Sequence, residues 1–121
     1  GNLLHGGEPA PVAAAEGRAA ADAVLALLDG RPWPARGVPV ETAGPLRWVT
    51  PGLLGPVSVP LLVRPERRLV RPLLTVGQDG VVLRRERLDG TLAPWRSVRL
   101  PPRWSSGVDL AGGPVVVGAE E

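Results

Sequence analysis

Few side chains in this chain are equipped for chemistry, and their spacing restricts them further. His5 is the sole histidine, and general acid–base work would need a nucleophile or carboxylate brought beside it. Ser105, Ser106 and Asp109 near Trp104 have the residue types of a hydrolytic triad, but the only base available to them is His5, at the far end of the sequence. With no cysteine there is no thiolate nucleophile, no redox dithiol, no disulfide framework and no thiolate-ligated metal. One histidine and scattered carboxylates offer no metal-ligand spacing. Gly6-Gly7 and Gly112-Gly113 match neither a dinucleotide fingerprint nor a phosphate loop, both of which need a fixed glycine pattern running from a strand into a helix. The sequence therefore predicts no catalytic residue and no metal site within this chain.

The remaining chemical signal is basic. Arg64, Arg67, Arg68 and Arg71, with Arg84, Arg85 and Arg87 across a predicted hairpin, present a set of guanidinium groups that suits an anionic partner. Glu66, Asp79, Glu86 and Asp89 interrupt it, and the net charge of the whole chain is only +2. The expectation is a solvated, salt-bridged sheet face and no nucleic-acid binding. Trp33, Trp48, Trp95 and Trp104 do not interleave with these arginines as a base-stacking platform would, and are expected to pack in the core or at its boundary.

The elements that must position these groups fall into two kinds. From Pro9 to Asp29 the chain is rich in Ala and Leu, Gly30 stands where a left-handed C-cap ends a helix, and Pro9 and Pro11 suit a first turn. Its apolar residues are so widely spread that the helix calls for burial on more than one side. Arg31–Gly37 is Pro and Gly punctuation and marks a boundary, giving segments 1–37 and 38–121. Beyond it lie extended runs at Leu46–Thr50, Val57–Arg64, Leu69–Val76, Val81–Arg87, Trp95–Leu100 and Pro114–Gly118, with Asp79-Gly80 as the clearest hairpin turn. Pro60 marks Val57–Arg64 as an edge strand, and the alternation in Val81–Arg87 leaves the buried face of that run open. The fold class expected is mainly β with one N-terminal helix: an Ig-like antiparallel β-sandwich following the helix.

The apolar runs are short and broken and the opening residues lack the pattern of a signal peptide, so neither a membrane span nor export is expected and the expected location is cytoplasmic. The chain has no methionine, and no Lys, Ile, Phe or Tyr, a bias toward GC-rich codons. Its opening, Gly1-Asn2-Leu3-Leu4, reads as the interior of a longer protein.

That opening and the helix after it carry a resemblance. Gly1-Asn2, a short loop, and then Ala13-Ala14-Ala15-Glu16-Gly17-Arg18-Ala19-Ala20-Ala21, of the form A-x-x-x-G-x-x-A-A, resemble the last flavin-binding segment of the NAD(P)/FAD-dependent, pyridine nucleotide-disulfide type oxidoreductases related to thioredoxin reductase. The likeness is to their amino-acid dehydrogenase and cyanide-synthase branch, where Gly-Asn stands in place of Gly-Asp. The stretch from Arg71 to Pro101 looks like the β-rich extension that some of these reductases carry after the flavin domain. The resemblance implies that 1–37 is the closing loop and helix of an FAD-binding domain. It puts Asn2 near the flavin ribityl chain or phosphate, and Pro11 and Val12 where backbone at the helix start faces the flavin pyrimidine edge. Pro11 departs from the family's pattern and removes one N–H donor there. Both glycine fingerprints lie outside the chain. The implied cofactor is thus FAD in a parent protein, not bound tightly by this piece alone, and the implied partner is the rest of the flavin and NAD(P) domains or another subunit. Two other readings stand beside it: a non-catalytic β-sandwich interaction module, and an anion-binding module using the Arg-rich hairpin.

Overall fold

The structure is a computed structural model that describes residues 6–32 and 37–121. The chain divides into two compact units, Gly1–Ala35 and Arg36–Glu121.

In the first unit, helix α1 spans Ala10–Leu28. An alanine-rich segment loses little side-chain entropy on becoming helical. Pro9 is the N-cap and Pro11 falls in the first turn, where a missing N–H breaks no intrahelical bond. At the other end Gly30 takes φ +79°. Its N–H is donated to Leu27 O at 3.1 Å and that of Arg31 to Ala26 O at 3.0 Å, the paired bonds of a Schellman stop. No residue of α1 is buried, and Val24, Leu25, Leu27 and Leu28 are all exposed.

The second unit is mainly β, so the chain as a whole is mainly β with one N-terminal helix. Its strands are β1 (Val38–Ala43), β2 (Leu46–Thr50), β3 (Leu53–Leu54), β4 (Leu61–Pro65), β5 (Leu69–Val70), β6 (Leu73–Gln78), β7 (Val81–Arg87), β8 (Thr91–Leu92), β9 (Val98–Leu100) and β10 (Val115–Glu120), with a 3-10 turn at Pro102–Trp104. They form a five-stranded sheet in the order β3-β1-β10-β6-β7, a three-stranded sheet β2-β4-β9 and the pair β5-β8, with no closed barrel. One apolar core draws on all three: Val38, Leu74, Val76, Val115, Val117 and Ala119 from the large sheet, Leu46, Leu61, Val63 and Leu100 from the second, Leu69 and Leu92 from the pair, with Trp104 beside them.

The run expected as one strand at Leu69–Val76 is broken at Arg71-Pro72 into β5 and β6, in different sheets, with Arg71 at φ +47°; three further features differ from the sequence expectation, each for a physical reason. First, pairing is not wholly antiparallel, because β1 runs parallel to β10 with Val40 opposite Val115 and Ala43 opposite Gly118. Parallel neighbours need no shared turn and leave no local sequence signal. Pro39 precedes the first of these pairs, where no β10 partner needs its N–H. Second, Pro60 does not put its strand on an edge. The strand begins one residue later, at Leu61, and β4 occupies the middle of its sheet, buried along its whole length. Third, the irregular alternation of Val81–Arg87 has a cause. Val76 pairs with Arg84 and Gly77 with Val82, so Leu83 is an extra, bulged residue, and a bulge swaps the faces on its two sides. The β6–β7 hairpin turns on Asp79 and Gly80, at φ +51° and +79°, as a two-residue loop with both central residues left-handed requires. Between β1 and β2, Gly44 is at φ +63°, and a Cβ there would lie 2.8 Å from Ala119 O, so the turn admits glycine alone.

At the end of β10 the Glu121 carboxylate accepts hydrogen bonds from Arg67 Nη1 at 2.8 Å and from Val70 N at 3.0 Å. The Arg67 bond, followed by the Val70 N–H, holds this carboxyl below the ordinary glutamate value of 4.5. Because the folded-state value is depressed, the stabilisation is complete above the ordinary value and disappears as pH falls through the depressed one. We expect Arg67→Ala to return the Glu121 titration, followed by NMR, toward the ordinary value. An unmoved titration would show that Arg67 is not its cause.

Candidate functional site

The start of α1 is the place to which the family resemblance points. Asn2 and His5 lie outside the described residues, as does Trp33. Pro11 and Val12 occupy the first turn, Pro11 exposed and Val12 half-buried. Pro11 has no N–H, and Val12 N–H is donated to Pro9 O at 2.9 Å, as is that of Ala13 at 3.1 Å. The backbone donor left in the turn is therefore Ala10 N–H. No acidic residue stands within this turn, but the buried Glu8 carboxylate lies just before the N-cap, beside the positive end of the helix dipole. Ala13, Ala14 and Ala15 follow, and their small side chains let a flat group approach the helix. The turn thus offers one backbone N–H and a flank of small side chains. Pro11 and Val12 are not its hydrogen-bond donors.

The residues resembling a triad do structural work. Ser105 is buried, and its Oγ accepts from Val59 N at 2.8 Å while lying 2.7 Å from Val59 O and 3.0 Å from Pro102 O. Its single proton serves one carbonyl at a time, and the hydroxyl ties the chain before β4 to the 3-10 turn. Ser106 Oγ donates to Arg103 O at 2.7 Å, and Asp109 Oδ1 accepts from Ala111 N at 2.9 Å. No serine–carboxylate pair is brought together among them.

The arginines of the predicted basic face are dispersed by the fold. Arg64 is buried on β4 with its guanidinium 5.3 Å from the Trp48 ring centroid. Arg84 lies 5.5 Å from that of Trp104 and pairs with Glu86 at 3.3 Å, while Arg103 reaches the other Glu86 oxygen at 3.2 Å. Arg67 holds Glu121, Arg87 Nη1 donates to Arg71 O at 2.8 Å, and Arg71 lies 3.7 Å from Asp89. The two Arg–Trp stacks escaped the sequence reading because each joins residues on different strands or turns. Of the tryptophans expected in or near the core, Trp104 is buried, whereas Trp95 is 74% exposed.

Gly112-Gly113 proves to be a close-approach site. Gln78, only 5% exposed, donates through Nε2 to Asp109 O at 2.8 Å and Gly113 O at 2.9 Å, and its Oε1 accepts from Asp109 N at 2.9 Å. The Asp79 carboxylate receives Gly113 N at 3.1 and 3.2 Å. A Cβ on Gly112 or Gly113 would fall 2.7 Å or less from these side chains. The latch fastens the loop before β10 to the β6–β7 hairpin and uses every polar atom of Gln78.

Among the described residues, no group of three or more His, Asp or Glu is placed to hold a metal ion. None of their helices is long and apolar enough to cross a membrane. In comparisons with known proteins, no family model, no curated protein and no solved structure matches this chain.

Proposed function

We infer that this chain is the C-terminal portion of a cytoplasmic, flavin-dependent NAD(P)/FAD oxidoreductase: the closing loop and helix of its FAD domain followed by a β packing domain, not catalytic alone. The observation that carries the reading is α1 itself, nineteen residues long with none buried and with Val24, Leu25, Leu27 and Leu28 exposed. An isolated helix of that length is marginal in water, and helices in proteins take most of their stability from tertiary packing. Such a helix fits a fold completed by further chain, and its A-x-x-x-G-x-x-A-A pattern is the one that lies against a flavin in the family it resembles.

The flavin, when bound, supplies the hydride chemistry. This chain's own residues would wall one side of the ring. The helix start directs its dipole toward the ring, with the buried Glu8 carboxylate beside it moderating the potential. Ala10 N–H is the donor available to a ring oxygen, and the alanines beyond it let the helix lie close.

Two measurements test this. The reading frame that encodes the chain should contain a strand followed by G-x-G-x-x-G upstream of Gly1, and the encoded protein should purify with flavin absorbance. A frame without that fingerprint, or a protein that takes up no FAD, overturns the reading and leaves the β interaction module. In the flavin-loaded protein, Val12→Asp separates the role of the helix start from simple folding. A carboxylate in a first turn stabilises a helix, yet here it would face an electron-rich ring. The expected result is unchanged helix content with retained flavin reduced ~tenfold, about 1.4 kcal/mol of binding. Undiminished flavin would show that the ring does not lie at this turn.

A further inference from the structure

Asp-Gly occurs three times in the chain, at Asp29-Gly30, Asp79-Gly80 and Asp89-Gly90. The dipeptide is prone to attack on itself, because glycine puts no side chain in the way of its own backbone nitrogen reaching the preceding carboxyl carbon. Whether that happens in a folded protein depends on what already holds the two groups, and the fold treats the three pairs differently. At the end of α1, Gly30 N–H is donated to Leu27 O at 3.1 Å and Asp29 N–H to Leu25 O at 2.9 Å, so the attacking nitrogen is tied into the helix stop. In the β6–β7 turn it is the carboxyl that is tied: both oxygens of Asp79 receive Gly113 N–H, at 3.2 and 3.1 Å. Asp89-Gly90, between β7 and β8, carries neither restraint. The Asp89 side chain is 94% exposed, and its one ion pair among the described residues is with Arg71 at 3.7 Å. Gly90 N–H is donated to no acceptor among the described residues, and a Cβ on Gly90 would meet nothing within 4 Å.

We propose that Asp89-Gly90 is a site of spontaneous isoaspartate formation in the folded protein, and that the contacts just described protect the other two Asp-Gly pairs. Gly90 N attacks Asp89 Cγ and forms the N–Cγ bond of a succinimide, while the Gly90 amide proton and the carboxylic OH leave together as water. Water then adds to the main-chain carbonyl carbon of Asp89 and breaks its bond to Gly90 N. The main chain now passes through Cβ and Cγ, and the former carbonyl carbon carries a free carboxylate. Water is released and taken up again, so the mass is unchanged and no other reactant is needed. The position gives the change a structural consequence. Leu88 N–H is donated to Pro72 O at 2.9 Å and Arg71 N–H to Gly90 O at 2.7 Å, so Asp89 sits between the two bonds that fasten this turn to the Arg71-Pro72 turn. A main chain lengthened by one methylene at Asp89 moves those bonds out of step. Just beyond Gly90 the buried Leu92 lies opposite the buried Leu69, closing β8 on β5, and this small sheet is the part that loosens. The inference is independent of the flavin reading.

The test is peptide mapping of the whole 121-residue chain after prolonged incubation at neutral pH, with fragmentation that separates isoaspartate from aspartate at equal mass. Isoaspartate should accumulate at Asp89 at least about tenfold faster than at Asp29 or Asp79, since giving up a hydrogen bond on the way to the ring raises the barrier by about that factor. In the chain unfolded in urea the three rates should converge. Asp89→Glu, whose longer side chain closes such a ring poorly, should give no isomer at that position and keep the wild-type circular dichroism spectrum. The aged wild type should unfold at a lower urea concentration than the fresh protein, and aged Asp89→Glu should not. No isoaspartate at Asp89, an even spread over the three pairs in the folded chain, earlier formation at Asp29 or Asp79, or a preference for Asp89 that survives unfolding would each overturn the proposal. An aged wild type as stable as the fresh protein would overturn its structural consequence.

Discussion

Replacing Trp104 with alanine is expected to remove about 3–5 kcal/mol from the stability of the β unit, the cost of deleting a large buried aromatic and leaving its cavity. At 1% exposure Trp104 is the largest fully buried side chain among the described residues. A unit of this size has roughly 4–13 kcal/mol to lose, so the substitution should remove a quarter of its stability or more. The loss has a second component, because the indole is also the surface over which Arg84 lies. Arg84 Nε is buried with no hydrogen-bond acceptor, and without the ring only the Glu86 pair at Nη2 would offset the guanidinium's desolvation. Trp104→Phe keeps a π face and most of the volume, and should cost about half as much or less. Urea unfolding followed by far-UV circular dichroism measures both. Equal losses for the two variants would show that a phenyl ring restores neither the packing nor the Arg84 contact, which would overturn this account.

Gln78→Glu is expected to be nearly as damaging, although it changes one atom. In the wild type the amide nitrogen donates to two carbonyls and the amide oxygen accepts one N–H, the full complement such a site can use. A carboxylate keeps the acceptor and turns the donor into a second acceptor facing Asp109 O and Gly113 O, with the Asp79 carboxylate also bonded at Gly113. The expected cost at neutral pH is about 2–4 kcal/mol, that of a buried charge beside unsatisfied carbonyls. Burial among acceptors raises the new carboxyl's folded-state pKa above its unfolded value, so protonation is favoured in the folded state. The deficit relative to wild type should therefore shrink as pH falls through that raised value, since the protonated acid again donates one bond. A deficit independent of pH would mean that the loop before β10 detaches and hydrates the site.

The features legible in the sequence are those fixed within a few residues. The limits of α1 follow from Pro9, Pro11 and Gly30, and the β6–β7 hairpin from Asp79-Gly80, because capping and left-handed turn residues act on their own backbone. The run Leu46–Thr50 likewise appears as β2. What the sequence concealed depends on residues far apart in the chain. Val38–Ala43 carries a proline and no neighbouring hairpin signal, and becomes a strand because β10 lies alongside it. Gln78 looks like any polar residue before a turn until the loop of Asp109 and Gly113 closes over it. Gly112-Gly113 was the available hint, since paired glycines often mark close approach of another group. Ser105 and Asp109 suggested catalysis by type, and their roles became visible only through their hydrogen-bond partners.

The bulge at Leu83 has one more effect. By shifting the faces of β7 it tucks Arg84 and Glu86 inward beneath the outermost strand, where they are held by Trp104 and Arg103. A foreign strand lining up against that rim would strip water from both charges and break those contacts. The same seven residues, with Val81 and Val82 bare at one end, would otherwise invite runaway polymerisation into fibrils. The sheet can thus keep an open margin without offering it for pairing.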